Sequence, residues 1–363
     1  MMKVAVIGSQ GVPASYGGFE SLVDNLLGEN CPKDVRYTVL CSAKDMNAGL
    51  KSYKGAELKY VNLHANGIQS IPYDMISMCK VFRGYDVILI LGVSGCMFLP
   101  FLRMATKARI IVNIDGLEHR RDKWGKAARW VLRTSEAMAV RYADTVVADN
   151  KGIQDYVRET YGKPSELIAY GGDHAKRTVD TAKMTSILSE YGLRPNEYAI
   201  TVCRVEPENN SHVILEAFSR SHRPLVFVGN WEHSEYSKAL RQKYGSFPNI
   251  HILDAIYDLD ILYTLRSNAG IYMHGHSAGG TNPSLVEAMH FGIPVVAYDV
   301  VYNRETTEGK AYYFKDTESL RHLIERNDLD GSAMSEIANR RYTWKHISEQ
   351  YCRLYRGTGF ATR

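Results

Sequence analysis

Short apolar runs rich in β-branched residues alternate with amphipathic helical patterns along the whole chain. Several of these runs are apolar on both faces, as strands covered by helices on both sides must be. Alternating strands and helices predict an α/β fold built from βαβ units with parallel sheets. The predicted strands span residues 4–8, 36–41, 58–63, 87–91, 110–114, 145–148, 198–203, 225–228, 250–253, 270–273 and 294–298.

The two halves of this series predict two doubly wound, Rossmann-like domains that face a central cleft, with ligands at the carboxyl ends of the strands. A turn at Gly171 and Gly172 follows a short apolar run and predicts the division between the domains. We therefore expect an N-terminal domain over residues 1–171 and a C-terminal domain over residues 172–345. A C-terminal helix over residues 346–363 is expected to pack back on the N-terminal domain.

The composition is that of an ordinary globular chain. Of 363 residues, 45% are hydrophobic and 23% charged, and the formal net charge of +4 is too small to indicate a nucleic-acid-binding protein. The six cysteines form no CxxC pair, which favours reduced thiols and a cytoplasmic protein over a disulfide framework. The N-terminus runs directly into a strand, so we expect no signal peptide. The uncharged stretch 87–102 contains glycines and a proline, and it predicts a strand, a loop and a helix rather than a membrane span.

The strongest local signal is a glycine-rich loop that leads into a helix. Asn282 is a good N-cap and Pro283 a good first helical residue, and the helix is expected to end at Gly292. Free N–H groups and the positive dipole at such a helix start bind phosphate. The phosphate-binding candidates are Gly279, Gly280, Thr281, Asn282 and Ser284.

Glu287 follows on the same helix, about 7 Å past the cap at the usual helical rise. That separation suits a carboxylate that binds a sugar hydroxyl of a nucleotide whose diphosphate lies on the cap. The alternative is a glycine loop before a structural helix, with Glu287 solvated.

This segment resembles the nucleotide-sugar signature of retaining glycosyltransferases of family 4. In that family two glutamates stand eight positions apart, and Glu287 matches the second, which implies that it binds the nucleotide ribose. Gly279 stands where the family has the first glutamate. The segment from Val202 resembles the family's strand-end segment, which implies that Arg204 holds the diphosphate, although Asn209 replaces the lysine that follows.

Gly17, Gly18 and Glu20 resemble the family's glycine turn at the first helix, which implies a loop of the acceptor domain. With Asp115-Gly116-Leu117-Glu118 and Tyr302-Asn303-Arg304-Glu305, the whole chain resembles a bacterial polysaccharide-assembly subgroup that includes β-1,4-rhamnosyltransferases. This resemblance implies the two-domain B-type glycosyltransferase fold, with an N-terminal acceptor domain and a C-terminal donor domain. It also implies transfer of L-rhamnose from dTDP-L-rhamnose to a saccharide, lipid-linked acceptor in cell-surface polysaccharide synthesis, with retention of configuration.

Arg304 and His276 are further candidates for binding the donor. Arg304 is expected in a loop after the strand at 294–298, where it would replace the missing lysine, or else form an ion pair with Glu305 or Glu308. His274 and His276 stand two apart with Glu287 as the nearby carboxylate, which favours substrate hydrogen bonding or a loop role over a metal site. We expect no cofactor and metal-independent activity, because a helix dipole and an arginine can neutralise the diphosphate.

Asp115 and Glu118 are the catalytic candidates of the N-terminal domain. Asp115 is expected to end the strand at 110–114, where its carboxylate can orient the acceptor hydroxyl or accept its proton. The alternative for Asp115 is a turn aspartate before Gly116. With the family's first glutamate absent, we expect front-face transfer, in which the departing diphosphate takes the acceptor proton.

A basic segment over residues 120–133 is predicted to open a helix. Such a helix with tryptophans can lie on an anionic membrane, and the alternative is a solvated face over a packed one. The first reading places the protein at the inner face of the cell membrane. The segment contains Arg120, Arg121, Lys123, Trp124, Lys126, Arg129, Trp130 and Arg133.

Three other functions compete with glycosyl transfer. A nicotinamide oxidoreductase requires Gly-x-Gly-x-x-Gly after the first strand, and the loop here reads Gly8-Ser9-Gln10-Gly11-Val12-Pro13. A nucleotide-sugar epimerase of the same fold stays open. A non-catalytic partner subunit also stays open, because Gly279 and Asn209 depart from the family pattern.

Overall fold

The computed structural model describes residues 1–14, 17–30, 32–114, 116–117, 119 and 125–358. The chain divides into two compact units. The N-terminal unit comprises Met1–Tyr170 together with Trp344–Arg363, and the C-terminal unit comprises Gly171–Thr343.

Within the described residues, the N-terminal unit is built on an eight-stranded sheet in the order β3-β4-β2-β1-β5-β6-β7-β8. All neighbouring strands are parallel except β3 and β4. β5 is buried along its whole length, and β1 and β6 are buried beyond their first residues, which explains their continuous apolar runs. The strands are β1 Met2–Ile7, β2 Val35–Ser42, β3 Ser52–Tyr53, β4 Ala56–Val61, β5 Val87–Leu91, β6 Arg109–Asn113, β7 Thr145–Ala148 and β8 Glu166–Leu167. The helices between them are α1 Gly18–Leu26, α2 Ser70–Val81, α3 Leu99–Ala105, α4 Lys126–Tyr142 and α5 Lys151–Tyr161.

Within the described residues, the C-terminal unit is built on a six-stranded parallel sheet in the order β11-β10-β9-β12-β13-β14. Its core includes Trp231, whose ring meets Phe227 edge to face. The strands are β9 Ala199–Val202, β10 Leu225–Val228, β11 Ile250–Leu253, β12 Ile271–His274, β13 Val295–Tyr298 and β14 Tyr312–Phe314. The helices are α6 Thr181–Glu190, α7 Ser211–Phe218, α8 Glu235–Tyr244, α9 Leu259–Ser267, α10 Pro283–Met289, α11 Val301–Thr306, α12 Thr317–Ile324 and α13 Ser332–Arg341.

The last helix, α14 Trp344–Tyr355, belongs to the N-terminal unit. Ser348 Oγ donates a hydrogen bond of 2.6 Å to the carbonyl oxygen of Asn30. The side-chain amide of Asn113, at the end of β6, donates a hydrogen bond of 2.9 Å to the hydroxyl of Tyr351. Buried polar contacts as well as apolar packing therefore attach this helix to the sheet of that unit.

The predicted fold class is confirmed, since both units are parallel-sheet α/β structures. The stretch 87–102 forms β5, a 3-10 turn and the start of α3, and within the described residues no helix is long and apolar enough to cross a membrane. Gly8 directly follows β1 and has a φ of 94°, and a Cβ there would lie 2.0 Å from the carbonyl oxygen of Leu91. Only glycine fits this close approach of two neighbouring strand ends.

Candidate functional site

The glycine-rich loop ends in the predicted helix cap. Oδ1 of Asn282 accepts hydrogen bonds from the backbone N–H of Ser284 at 3.0 Å and from its hydroxyl at 2.8 Å. The hydroxyl of the buried Tyr272 donates to Ser284 Oγ at 3.2 Å, so the cap is connected to the core. Asn282 as N-cap and Pro283 as first helical residue are confirmed, whereas α10 ends at Met289, earlier than the predicted Gly292.

The loop before the cap has a backbone that favours glycine. Gly279 has a φ of 94°, in the left-handed region, so a side chain at this position would strain the turn. Gly280 follows Gly279, and the next residue, Thr281, is buried, with 5% of its surface exposed. Gly279 therefore replaces the family's first glutamate at a position where the loop backbone requires glycine.

Glu287 is mostly buried and paired with two basic side chains. Its Oε2 accepts a hydrogen bond of 2.7 Å from Arg266 on α9, and its Oε1 lies 3.3 Å from Nε2 of His174. Burial acts to raise the pKa of Glu287, but Arg266 and His174 outweigh it and lower that pKa to about 2. The alternative of a solvated Glu287 is wrong, because only 16% of its side chain is exposed.

Arg266 is the partner that sequence reasoning missed. Its side chain is 6% exposed, and within the described residues its Nε has no hydrogen-bond partner. A buried guanidinium requires a nearby carboxylate, which Glu287 supplies. The burial of Arg266 and of its neighbours Thr264 and Leu265 is seen only in the structure, so no local sequence signal identifies this pair.

Arg204 lies in the loop that follows β9, with 39% of its side chain exposed. Its guanidinium lies 3.6 Å from Glu206 and 3.4 Å from Glu208, measured between nitrogen and carboxylate oxygen. Both neighbours are carboxylates, so an anionic ligand of Arg204 has to compete with them. The exposure leaves the guanidinium accessible to such a ligand.

Asn209, which replaces the family's lysine, connects Arg204 to His276. Its amide nitrogen donates to the carbonyl oxygen of Arg204 at 2.8 Å, and its Oδ1 lies 2.8 Å from Nδ1 of His276. Because the amide nitrogen already donates, the amide oxygen faces the imidazole, and Nδ1 of His276 therefore carries a hydrogen. Asn209 thus orients a site candidate instead of contributing a charge.

Several hydrogen bonds fix the loop that carries His276. The side-chain amide of Asn303 donates to the carbonyl oxygen of His276 at 2.8 Å, and that of Asn210 donates to the carbonyl oxygen of Gly275 at 2.8 Å. A Cβ at Gly275 would lie 2.0 Å from the carbonyl oxygen of Asn209, so the loops after β9 and β12 touch through their backbones. Burial lowers the pKa of the adjacent His274 well below its ordinary value, so this imidazole is neutral. Within the described residues, no cluster of three metal-ligating side chains is present.

Arg304 differs from its prediction in two respects. It lies on the short helix α11 rather than in a loop, and its ion-pair partner is Asp299 rather than Glu305 or Glu308. The guanidinium also lies 4.2 Å from the ring centroid of Tyr313. Glu305 and Glu308 instead pair with Arg341, at 3.0 Å and 3.1 Å.

In the N-terminal unit, Gly17 caps α1 and Gly18 is its first residue. Oε1 of Glu20 accepts a hydrogen bond of 2.8 Å from the backbone N–H of Gln10, in the loop after β1. Gly17 has a φ of 120°, and a Cβ there would lie 2.0 Å from Oε2 of Glu20. Glu20 therefore shapes the loop after β1 from the first turn of α1.

The catalytic candidates Asp115 and Glu118 lie outside the described residues, as do Arg120, Arg121, Lys123 and Trp124 of the basic segment. Strand β6 ends at Asn113, one residue earlier than predicted, and the described part of the basic segment is helical from Lys126. Trp130 on that helix is 65% exposed.

Comparison with known families divides the chain in a similar way. Residues 1–173 match a domain of unknown function, DUF1972, and residues 189–328 match the family Glycosyl transferases group 1. The second match contains Arg204, Arg266, His276 and Glu287. No curated protein matches the chain.

Solved structures with the same fold cover nearly the whole chain. Sucrose-phosphate synthase from Thermosynechococcus elongatus is 17% identical, with a TM-score of 0.81 over 98% of this chain and 99% of that one. HepE of Anabaena in complex with UDP-glucose is 14% identical, with a TM-score of 0.75 over 98% and 100% of the two chains. S. aureus MnaA with UDP is 17% identical, with a TM-score of 0.65 over 100% and 99%. Residues 189–328 are therefore similar to the family Glycosyl transferases group 1, and the chain shares its α/β fold with these solved structures over nearly its whole length.

Proposed function

We propose that this chain transfers a sugar from a nucleotide-diphosphate donor, held by its C-terminal unit, to a saccharide acceptor. One observation carries the proposal. The loops after β9 and β12 lie within the group 1 domain, and Asn209 hydrogen-bonds both the Arg204 backbone and the His276 ring. Ligands of doubly wound folds bind beyond the carboxyl ends of strands, which is where these loops begin.

The donor diphosphate is assigned to Arg204, His276 and the capped loop at 279–284. Glu287 accepts a hydrogen bond from a hydroxyl of the nucleotide sugar, because a carboxylate has several lone-pair sites and Arg266 and His174 occupy only part of them. Arg266 fixes the orientation of that carboxylate. Arg304 is a weaker candidate, since its ion pair with Asp299 is shorter than the contacts of Arg204 with Glu206 and Glu208.

The donor is proposed to be dTDP-L-rhamnose, on the subgroup resemblance. The structural neighbours HepE and MnaA are in complex with UDP-glucose and UDP, which supports a nucleotide-diphosphate ligand as a class. Calorimetric titration of the full chain with dTDP, UDP and GDP, followed by a panel of their sugars, tests the assignment. Preference for a UDP- or GDP-sugar would remove rhamnose and leave the class intact, and no binding of any of them would contradict the proposed function.

Transfer is proposed to retain the donor configuration and to need no metal. The departing diphosphate takes the acceptor proton, while Asp115 or Glu118 orients the acceptor. Full activity in a chelator and a retained anomeric configuration by NMR are the expected results. Activity that depends on added magnesium or manganese would contradict metal independence, and an inverted product would contradict front-face transfer.

An epimerase of the same fold is the second candidate, because a site that binds a nucleotide sugar can serve either reaction, and MnaA, which holds UDP, shares the fold over its whole length. Product analysis with and without acceptor separates the two functions. Transfer yields a new glycosidic bond only when acceptor is present, whereas an epimerase converts the donor sugar without one.

The acceptor is proposed to be lipid-linked, which places the chain at the inner face of the membrane. Apolar side chains on α3 and α4 of the N-terminal unit support this, since Phe101 is 64% exposed, Met104 88% and Trp130 65%. Exposed basic residues, Arg103, Lys107, Lys126 and Arg133, lie on the same segments. Such a combination is typical of surfaces that bind anionic membranes.

Flotation with vesicles that contain or lack an anionic lipid tests this contact. Replacing Phe101 and Trp130 by serine should abolish binding to the anionic vesicles. Tyr257→Ser is the matched control, because Tyr257 is 72% exposed and lies in the C-terminal unit. Equal flotation of the double variant and the wild type would contradict the assignment.

A further inference from the structure

In the N-terminal unit, one buried glutamate is hydrogen-bonded to three side chains that lie outside the donor site proposed above. Glu136 on α4 has 2% of its side chain exposed. Its Oε1 accepts hydrogen bonds of 2.7 Å from the hydroxyls of Tyr156 and Tyr161, both on α5. Its Oε2 lies 3.1 Å from Nδ1 of His119, in the loop that follows β6.

The cluster determines which nitrogen of His119 carries the hydrogen. A phenol bonded to a carboxylate donates its only hydrogen, and burial followed by the hydrogen bond to Glu136 raises the pKa of Tyr161, which keeps this phenol neutral. An ionised carboxylate only accepts, so Nδ1 of His119 is the donor. In the neutral ring, Nε2 then keeps its lone pair, as in other histidines oriented by a carboxylate.

Nothing in the described part of the chain occupies Nε2 of His119. The ring makes its hydrogen bond to Glu136 through Nδ1 and meets the ring of Tyr156 at a centroid distance of 6.1 Å. The side chain is 12% exposed, so one edge of the imidazole reaches solvent. His119 also follows the carboxyl end of β6, a central strand, and this is the edge of a doubly wound sheet where ligands bind.

We propose that Nε2 of His119 accepts a hydrogen bond from a hydroxyl of the saccharide acceptor, with Glu136 holding the ring in the tautomer that allows it. This rests on the proposed function and assigns a substrate-binding residue to the N-terminal unit. His119 orients the acceptor and moves no proton. Glu136, Tyr156 and Tyr161 act through the ring and are positioning residues.

Two substitutions separate this role from simple support of the loop. His119→Asn keeps an amide N–H near the position of Nδ1, so it preserves the bond to Glu136 and removes Nε2. His119→Ala removes both the hydrogen bond to Glu136 and Nε2. Loss of one hydrogen bond to substrate corresponds to roughly a tenfold rise in KM for the acceptor.

The assay uses the full chain and a radiolabelled nucleotide sugar that calorimetry has shown to bind. The acceptors are lipid-linked saccharides extracted from cells of the organism that encodes this chain. His119→Asn should raise the acceptor KM roughly tenfold, with donor affinity and thermal unfolding unchanged. An asparagine variant with wild-type acceptor KM would reduce His119 to a structural role and overturn the proposal.

The ring nitrogens give a second readout that does not need activity. In ¹⁵N-histidine-labelled protein at neutral pH, His119 should show a protonated Nδ1 and an unprotonated Nε2, and Glu136→Gln should change this pattern. A protonated Nε2 in the wild type would overturn the proposal even if transfer is observed. If the wild type transfers no sugar from any bound donor, the proposed function fails, and the ring spectrum still decides whether Nε2 can accept a hydrogen bond.

Discussion

Each unit buries a glutamate beside its candidate site, and the two are compensated in different ways. Glu287 in the C-terminal unit is paired with the buried Arg266 and with His174. Glu136 in the N-terminal unit is bonded to two phenol hydroxyls and to His119. Charge compensation keeps Glu287 a fixed anion over the whole physiological pH range, as its low pKa shows. Two hydroxyl donors leave the second oxygen of Glu136 bonded to the imidazole of His119, whose orientation it fixes.

Burial alone therefore does not define the role of a carboxylate. A buried carboxylate with a cationic partner suits a task that needs constant charge, such as holding a donor in place. A buried carboxylate with neutral donors and one imidazole suits a task that needs an oriented ring. Removing the charged partner of a buried carboxylate costs more free energy of unfolding than removing a neutral hydrogen-bond donor, so the expected effects can be ranked.

Arg266→Leu should have the largest effect on stability. It leaves the carboxylate of Glu287 buried without its main partner, which costs about 3–5 kcal/mol in the free energy of unfolding of the C-terminal unit. Peptide-resolved hydrogen exchange measures this in one unit without assuming that the whole chain unfolds in one step.

Tyr161→Phe is the counterpart in the N-terminal unit. It removes one hydroxyl donor from Glu136 and leaves Tyr156 in place, so a smaller loss of about 1.5–3 kcal/mol is expected. If Arg266→Leu destabilises its unit less than Tyr161→Phe does, the two glutamates do not differ as described.

The second prediction concerns the loss of stability of the C-terminal unit at low pH. The pKa of Glu287 is lowered from its ordinary 4.5 to about 2, so its ion pair adds stability above pH 4.5, and this stability is lost as pH falls toward 2. The free energy of unfolding of the C-terminal unit should therefore decrease across that interval in the wild type. In Glu287→Gln the decrease should be shallower, and an identical slope in both proteins would show that Glu287 is not the titrating group.

How much of this the sequence could predict depends on the range of the interaction. Buried parallel strands produce continuous apolar runs, so β5, β7 and β10 were predicted with the bounds that the structure has. The bounds of the edge strand β11 were also predicted, although only its first residue is buried. The edge strands β3 and β14 were not predicted, because two or three residues carry too little pattern. The cap at Asn282 is a local signal and was found.

The long-range pairs could not be predicted in this way. Arg266 and Glu287 lie on different helices and meet only through the fold. Glu136 on α4 and His119 in the loop after β6 likewise meet only through the fold. The missing lysine at Asn209 could be noticed, but its bond to His276 could not. Arg304 was misplaced in a loop because a helix of six residues has too few turns for its apolar period to be recognised.

The third prediction concerns Arg204, which is exposed and should affect nucleotide binding, whereas the buried Arg266 should affect stability. Arg204→Ala should weaken nucleotide binding at least tenfold by calorimetry, since a charged hydrogen bond to phosphate contributes roughly 1.5–3 kcal/mol. It should change the stability of the unit little, because exposed ion pairs contribute less than about 1 kcal/mol.

Arg241→Ala is the matched control for Arg204→Ala. Arg241 is 40% exposed against 39% for Arg204, and each lies near two carboxylates in the same unit. Its nucleotide affinity should equal that of the wild type. Unchanged affinity in Arg204→Ala, or equal losses in both variants, would remove Arg204 from the donor site.

The smallest effect is expected at the cap of α10, where a neutral side chain holds the helix that carries Glu287. Asn282→Ala removes the acceptor of the Ser284 N–H and hydroxyl, and it should cost about 1 kcal/mol, whereas Asn282→Gly should cost only a few tenths. Hydrogen exchange of residues 283–289 measures the loss where it occurs. Because Arg266 anchors Glu287 from α9, the fraying should stay within the first turn and leave the exchange of the last turn unchanged. Faster exchange along the whole helix would mean that the cap, rather than the buried ion pair, fixes the position of Glu287.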